Sequence, residues 1–500
     1  MHVLLFAASL VPAEAGVRCL TPAHRADPPE ALRAARRPAE AGYVDSERYP
    51  IRVHYRQAAD EQRVIDVVLP AFETSWEIEV EQMGWPAPPP DDGVGGSDAY
   101  DVYFTNEDTY GGAWTWGFGP DVTPGDNWYS VPSYIAMDDR WIPDDQMLVF
   151  ACHEFNHALQ YTIDARERRV FPWESTAEAM TDLVDDASDL YMPELRDFQE
   201  LPFASLVFDG YASEVEAYRR NSFYEYGGSI FGTFLEERYG NKDGTTLLAV
   251  WDALADPSGS DEPDYLDALG TLDGDAPSAA EVYLEFAVWR MFAGVDDDGA
   301  HFEEGALWPE NARVPYEADL TLADVDGYVA EPVDAPYDLG TSYYRLDLGD
   351  GTDQALQVDV AGEAGAQWGL AWAVWPAGGG PATVGKVLVG DGEALSAEIP
   401  LAGGSWAQVG VVNAGPVGME LEGTIPRRTF TATFGLVGGT GGTSGTTDTT
   451  VPPYSDPTGT VPDGVVSADP DEKGGCGCSS GGSSVGWLGL LGVLAIRRRR

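Results

Sequence analysis

The sequence predicts an α+β domain, a small mixed sheet with a mostly helical lobe, followed by an all-β sandwich. Three observations predict it. One apolar, helix-like run carries His153-Glu154-Phe155-Asn156-His157. From Asp45 to about residue 330, strand-like and helix-like segments alternate around that run. From about Tyr337 the texture changes to short alternating runs separated by Gly, Pro and Asn turns, the pattern of a sandwich.

Composition sets the bounds. Five hundred residues exceed one core and call for two or three folded units. An apolar content of 44%, with 15 Trp, 23 Tyr and 18 Phe, can fill large interiors. The net charge of −54 excludes a nucleic-acid partner and docking on anionic lipid. Such acidity fits a solvated surface, a salty or extracellular setting, or bound calcium. Nothing in it fixes an oligomeric state.

Residues 1–15 read as a signal peptide, with an apolar run from Val3 to Val11 and a small-x-small pattern at Ala13-Glu14-Ala15. Residues 16–44 are rich in Ala, Pro and Arg and read as an N-terminal arm or propeptide, with Arg36-Arg37 a candidate processing point. Residues 45–330 hold the chemistry. Strands are expected at Ile51–Tyr55, Asp101–Phe104 and Tyr134–Met137, and a helix from Asp60 to Met83 that ends before Gly84-Trp85-Pro86. Tyr110 to Pro120 reads as a Gly/Trp-rich loop. The strand at Tyr134–Met137 directly precedes the His-Glu-x-x-His run, where it is either an interior strand or an edge that pairs with an extended peptide.

That run, Asp144 to Asp164, is a helix capped by Asp144 or Asp145 after Pro143 and apolar on most sides. Two histidines four residues apart project from one helical face and can reach one ion, with Glu154 beside them to act on water. A catalytic zinc needs a third protein ligand and an open position. The acidic candidates are Glu174 and Glu178, one turn apart on a second helix from Phe171 to about Leu190. One can bind the metal while the other orients a histidine from behind.

These residues resemble the gluzincin metallopeptidases, the group that includes thermolysin-like and aminopeptidase-N-like enzymes. The likeness rests on His153-Glu154-x-x-His157 and on Trp173-Glu174 with Glu178 beyond it, and covers about Asp144 to Asp189. It implies a zincin-like fold, with zinc on His153, His157 and Glu174, and Glu154 as general base. By the same likeness Glu178 orients His153. Phe223-Tyr224-Glu225-Tyr226-Gly227 is similar to the Tyr-Glu-Lys-Gly helix start of aminopeptidase-N-like enzymes. That implies Tyr224, with Tyr226 the alternate, as the phenol steadying the oxyanion.

Beyond the site, helices are expected over Ser229–Tyr239 and Ser278–Gly294. Asp296-Asp297-Asp298-Gly299 offers oxygen ligands to calcium but lacks the EF-hand spacing and reads as a polar turn. His301 reads as a solvated loop histidine or an aid to the transition state. Cys19 and Cys152 can form a disulfide or stay as thiols, or Cys19 can cap the zinc of a latent precursor.

Residues 335–437 form the accessory sandwich of roughly eight strands, and 438–475 a flexible Gly/Thr/Ser/Pro linker. Residues 476–500 combine Cys476-Gly477-Cys478, an apolar stretch from Val485 to Ile496 and four terminal arginines. This is similar to the C-terminal sorting tail of myxobacterial surface proteins, which implies recognition by a sorting system; insertion as a plain anchor is the other reading.

The expectation is an exported or cell-surface zinc metallopeptidase acting on a protein or peptide substrate. The alternatives are a surface adhesion protein with a non-cleaving metallopeptidase-like domain, and a zinc hydrolase acting on another bond.

Overall fold

A strand buried on both faces must be apolar or pair its polar side chains, and Ile51–Tyr55, Tyr100–Phe104 and Ser133–Met137 are buried at every position, with Arg52 bonded to Asp45 and His54 to Asp101. In the computed structural model they are β2, β3 and β5, parallel to one another at the centre of a five-stranded sheet. The sheet runs β1-β2-β3-β5-β4, with β1 (Gly42–Asp45) and β4 (Ala113–Gly117) antiparallel at its two ends. The model describes residues 37–107, 109, 112–208, 223–255, 264–272, 278–349, 351–390, 393–416 and 425–438. The expected signal peptide, most of the N-terminal arm, Cys19, nearly all of the linker and the C-terminal tail lie outside the described residues.

Two of these strands correct the sequence reading. β1 lies, but for Asp45, within the stretch assigned to the arm, and β4 within the stretch assigned to a loop. The strand before the metal helix, β5, is paired on both sides, so it is interior, and β4 ends the sheet.

The helix α1 (61–82) packs across this sheet through Val64, Val68, Phe72 and Trp76. It is wound wide over Val64–Val68 and Trp76–Gln82. Pro70 has no N–H to return to the preceding turn, which accounts for the first departure. The second turns Glu79 into the interior.

Helix α2 (Met147–Ile163) lies between α1, the sheet and α3 (Val170–Val184), which explains why it is apolar on most sides. Its start differs from expectation. A short turn over Asp144–Gln146 leads in from Pro143 with no side-chain cap. The Asp144 carboxylate instead accepts from Arg63 of α1, at 2.6 Å. Helix α3 stops at Val184, short of Leu190, where its apolar stripe gives way to Asp185 and Asp186.

Further helices complete the lobe: α4 (Tyr224–Gly227), α5 (Ser229–Arg238), α6 (Thr245–Leu254) and α7 (Ala279–Trp289). Ser278 caps α7 and Glu281 returns the bond. Among the described residues, no helix is long and apolar enough to cross a membrane.

The C-terminal part is a sandwich. One sheet runs β11-β10-β13-β8-β6, over Thr383–Val389, Ala366–Pro376, Gly404–Pro416, Gly340–Asp347 and Ala318–Thr321. The other runs β12-β9-β14-β7, over Leu395–Pro400, Ala355–Gly362, Phe430–Val437 and Tyr328–Ala330. Between them lie Leu370, Trp372 and Val374 against Leu356, Val358 and Phe434. Because β6 and β7 belong to the sandwich, it begins near residue 318 and not at 335.

Residues that alternate with these, Ala371, Ala373 and Trp375, face the other way, into the core of the helical lobe. There α7 lies so close that a Cβ on Gly369 would come within 2.7 Å of the Leu284 side chain. The described residues, 37–438, accordingly belong to one compact unit.

Candidate metal centre

Helix α2 presents His153 and His157 on one face, and α3 brings Glu174 against them. His153 Nε2 lies 3.3 Å from Glu174 Oε2, and His157 Nε2 lies 3.5 Å from Glu174 Oε1. The ligand atoms of the three lie within 4.8 Å of one another. Among the described residues this is the one such group.

Their chemistry fits a zinc ion. Both oxygens of Glu174 are buried and face the two Nε2 atoms, an arrangement that a shared cation would satisfy. Burial pushes the Glu174 carboxyl up, but His157 and His153 outweigh it and hold the group well below the usual carboxylate range. Two imidazoles and one carboxylate are a donor set of catalytic zinc sites.

Behind the first histidine, Glu178 Oε2 stands 2.9 Å from His153 Nδ1. A carboxylate there accepts the Nδ1 proton and leaves Nε2 to bind metal. The carboxylate one helical turn past Glu174 thus falls where the resemblance implied.

Glu154 is fully buried beside the triad, and Thr115 of β4 donates to its Oε2 at 2.7 Å. Two features bring that strand so close. Thr115 also lies 2.8 Å from the Glu154 carbonyl, and Gly117 leaves room for Tyr161, whose ring would sit 2.4 Å from any Cβ there. Thr115 went unnoticed in the sequence because the glycines around Ala-Trp-Thr-Trp-Gly masked its alternation. Gln160 was missed as well: its Oε1 lies 2.8 Å from His157 Nδ1. A lone amide on the inner side of an apolar helix, three residues from a ligand, was the available signal.

The structure places the two tyrosines differently. Tyr224 is fully buried and its hydroxyl donates to the Ser205 carbonyl at 2.8 Å, so that phenol is committed elsewhere. Burial pushes it well above the usual phenol range. The Tyr226 ring instead lies parallel to His153, 5.9 Å between centroids. These residues sit on one short helix, and its packing decides which of them meets the metal face.

Other candidates lie apart from the triad. His301 stacks on Phe292 at 3.7 Å and bonds Asp298 at 2.8 Å. Asp296 pairs with Arg313 at 2.5 Å and Asp298 Oδ2 accepts from the Ala382 N–H, so two of the three aspartates are held by bonds to neighbouring segments. Cys152 is a free, buried thiol that donates to the Val149 carbonyl.

No family model and no curated protein matches the chain. Among solved structures, a periplasmic inhibitor of g-type lysozyme, PliG from Aeromonas hydrophila, matches at 15% identity and a TM-score of 0.16, over 24% of this chain and 99% of that one.

Proposed function

We propose that the protein is an exported zinc metallopeptidase of zincin-like fold, with His153, His157 and Glu174 as metal ligands. The observation that carries this is the buried ligand set with Glu154 fixed beside it by Thr115. Zinc held by these residues would supply Lewis acidity, to polarise a carbonyl and acidify water. Glu154 takes the proton of the attacking water and passes it to the leaving amine. Thr115 keeps one carboxylate oxygen occupied, so the carboxylate plane is fixed while the proton moves. Glu178 holds His153 in the tautomer that ligates. Tyr226, beside His153, takes the part of oxyanion donor that the sequence offered to Tyr224. The acidic surface and the expected signal peptide and sorting tail support a site of action outside the cell, on a protein or peptide substrate.

The test is metal content together with casein and peptide cleavage by the full chain, beside Glu154→Gln, Tyr226→Phe and Tyr224→Phe. The wild type is expected to hold about one zinc and to cleave. Glu154→Gln keeps the zinc and loses about 10²–10⁴-fold in kcat. Tyr226→Phe lowers kcat by about 10²-fold with KM little changed, whereas Tyr224→Phe costs stability alone. Equal kcat in Tyr226→Phe and wild type removes the tyrosine from the mechanism. Zinc without cleavage in any of the proteins turns the reading to a surface binding protein. No bound metal overturns it.

A further inference from the structure

The two metal histidines are backed by different chemistry: His153 by the carboxylate of Glu178, His157 by the neutral amide of Gln160. An amide can turn either end toward a histidine, so this contact alone leaves the imidazole proton undecided. The far end of Gln160 decides it. Its Nε2 lies 3.1 Å from the Trp173 carbonyl oxygen and 2.9 Å from Asn156 Oδ1. A backbone carbonyl only accepts, so the atom that faces it is the amide nitrogen. The amide oxygen therefore faces His157, whose Nδ1 carries the proton and donates. Nε2 keeps its lone pair and points toward Glu174.

The same logic runs one step further back. Asn156 accepts from Gln160 through Oδ1, which turns its Nδ2 to Glu79 Oε2 at 3.1 Å. Gln160, Asn156 and Glu79 are all fully buried, so bulk water does not compete for these bonds. Glu79 reaches Asn156 from the wide second turn of α1, a kind of local irregularity that often accompanies functional sites. The carbonyl that fixes the direction of the whole chain belongs to Trp173, the residue before Glu174. One peptide junction thus supplies the third ligand and sets the tautomer of the second.

We propose that Gln160 is the positioning residue of His157: read out from the Trp173 carbonyl and braced by Asn156 and Glu79, it locks the imidazole as the Nδ1–H tautomer with Nε2 presented to the metal. This rests on the metal reading above and deepens it. The two ligands become unequal in kind. Glu178 gives His153 a charged partner and a more basic ring, whereas Gln160 gives His157 a fixed orientation without added charge.

The test is zinc affinity of the full chain by chelator competition, in wild type, Gln160→Met and Gln160→Glu. Methionine keeps the length and removes every bond, and is expected to weaken zinc by about 10–100-fold. Glutamate keeps an acceptor for the Nδ1 proton and is expected to recover part of that loss. Unchanged zinc affinity in Gln160→Met, with only the melting temperature of the metal-free chain lowered, makes Gln160 a packing residue and overturns the proposal. A second measurement needs no variant: ¹⁵N spectra of the histidine-labelled wild type, which has six histidines. A protonated Nδ1 on His157 in the metal-free protein is expected, whether or not Nε2 also carries a proton, and an Nδ1 without a proton overturns the proposal even if both variants fail to fold. A wild type that takes up no zinc sinks the metal reading itself, and the spectra still decide the Gln160 geometry.

Discussion

Glu174 and Asp182 stand two helical turns apart on one stripe of α3, both largely withdrawn from water, and their surroundings drive them in opposite directions. Glu174 faces two imidazoles, which overcome its burial and hold it ionised. Asp182 is pushed up to about 7 by burial and then by Glu304, Asp186, Glu237 and Asp189. It lines a cavity of about 240 Å³ with Asp186, Glu236, Glu237 and Glu304, where Lys242 is the one cation among the described lining residues. Glu237 is pushed to about 7 as well, again first by burial. One helix therefore carries an acid whose charge is answered and an acid whose charge is not. Burial by itself sets neither outcome; the facing side chains do.

Between these ends sits Glu178, and its removal tests the first of them most severely. Glu178→Ala is expected to weaken zinc binding by about 10–100-fold, read by chelator competition. An unchanged affinity would make the neighbourhood of Glu178 no different from that of Asp182.

The smaller effect belongs to the other end. The folded pKa of Asp182, about 7, lies above its ordinary value of 3.8. Between those values the folded chain holds a proton that the unfolded chain has released. Stability from this group is thus full below pH 4 and is lost as the pH rises through 7. Asp182→Asn removes the charge at high pH and changes little at low pH. It is expected to raise the melting temperature by about 2 °C or more at pH 8 and by less at pH 5. Equal shifts at the two pH values would show that the cavity does not hold the group protonated.

The metal face was legible in the sequence because its signals are local. His153, Glu154 and His157 announce themselves by spacing on one helix, and Glu174 and Glu178 by the same rule on the next. Strands β2, β3 and β5 were legible for a related reason, since each is a short run rich in β-branched and aromatic residues, and Ile51–Tyr55 alternates. What was hidden depends on pairing across long separations. Thr115 matters because β4 pairs with β5 and thereby lies against α2, which no property of Ala-Trp-Thr-Trp-Gly states. Asp144 looked like a cap until Arg63 of α1 proved to be its partner. The resemblance put Tyr224 before Tyr226, and the bond of the Tyr224 hydroxyl to the Ser205 carbonyl, which no local pattern states, separates them. Strands β6 and β7 fell outside the expected sandwich because each has few residues and takes its register from a neighbour.

The sandwich has a consequence for how such a protein is inherited. Its larger sheet gives one face to its own partner and the other to the helical lobe, and Tyr343 reaches across to donate to the Ala287 carbonyl of α7 at 2.8 Å. Lys386 of β11 likewise meets Glu285 at 2.7 Å. A piece joined in this way is no interchangeable module. Recombination that exchanged it for another C-terminal domain would strip α7 of its cover, and the metal helices would lose part of the common interior they pack into. Variation in this protein is therefore expected to accumulate within the sandwich, strand by strand, while the seam between its sheet and α7 is transmitted whole.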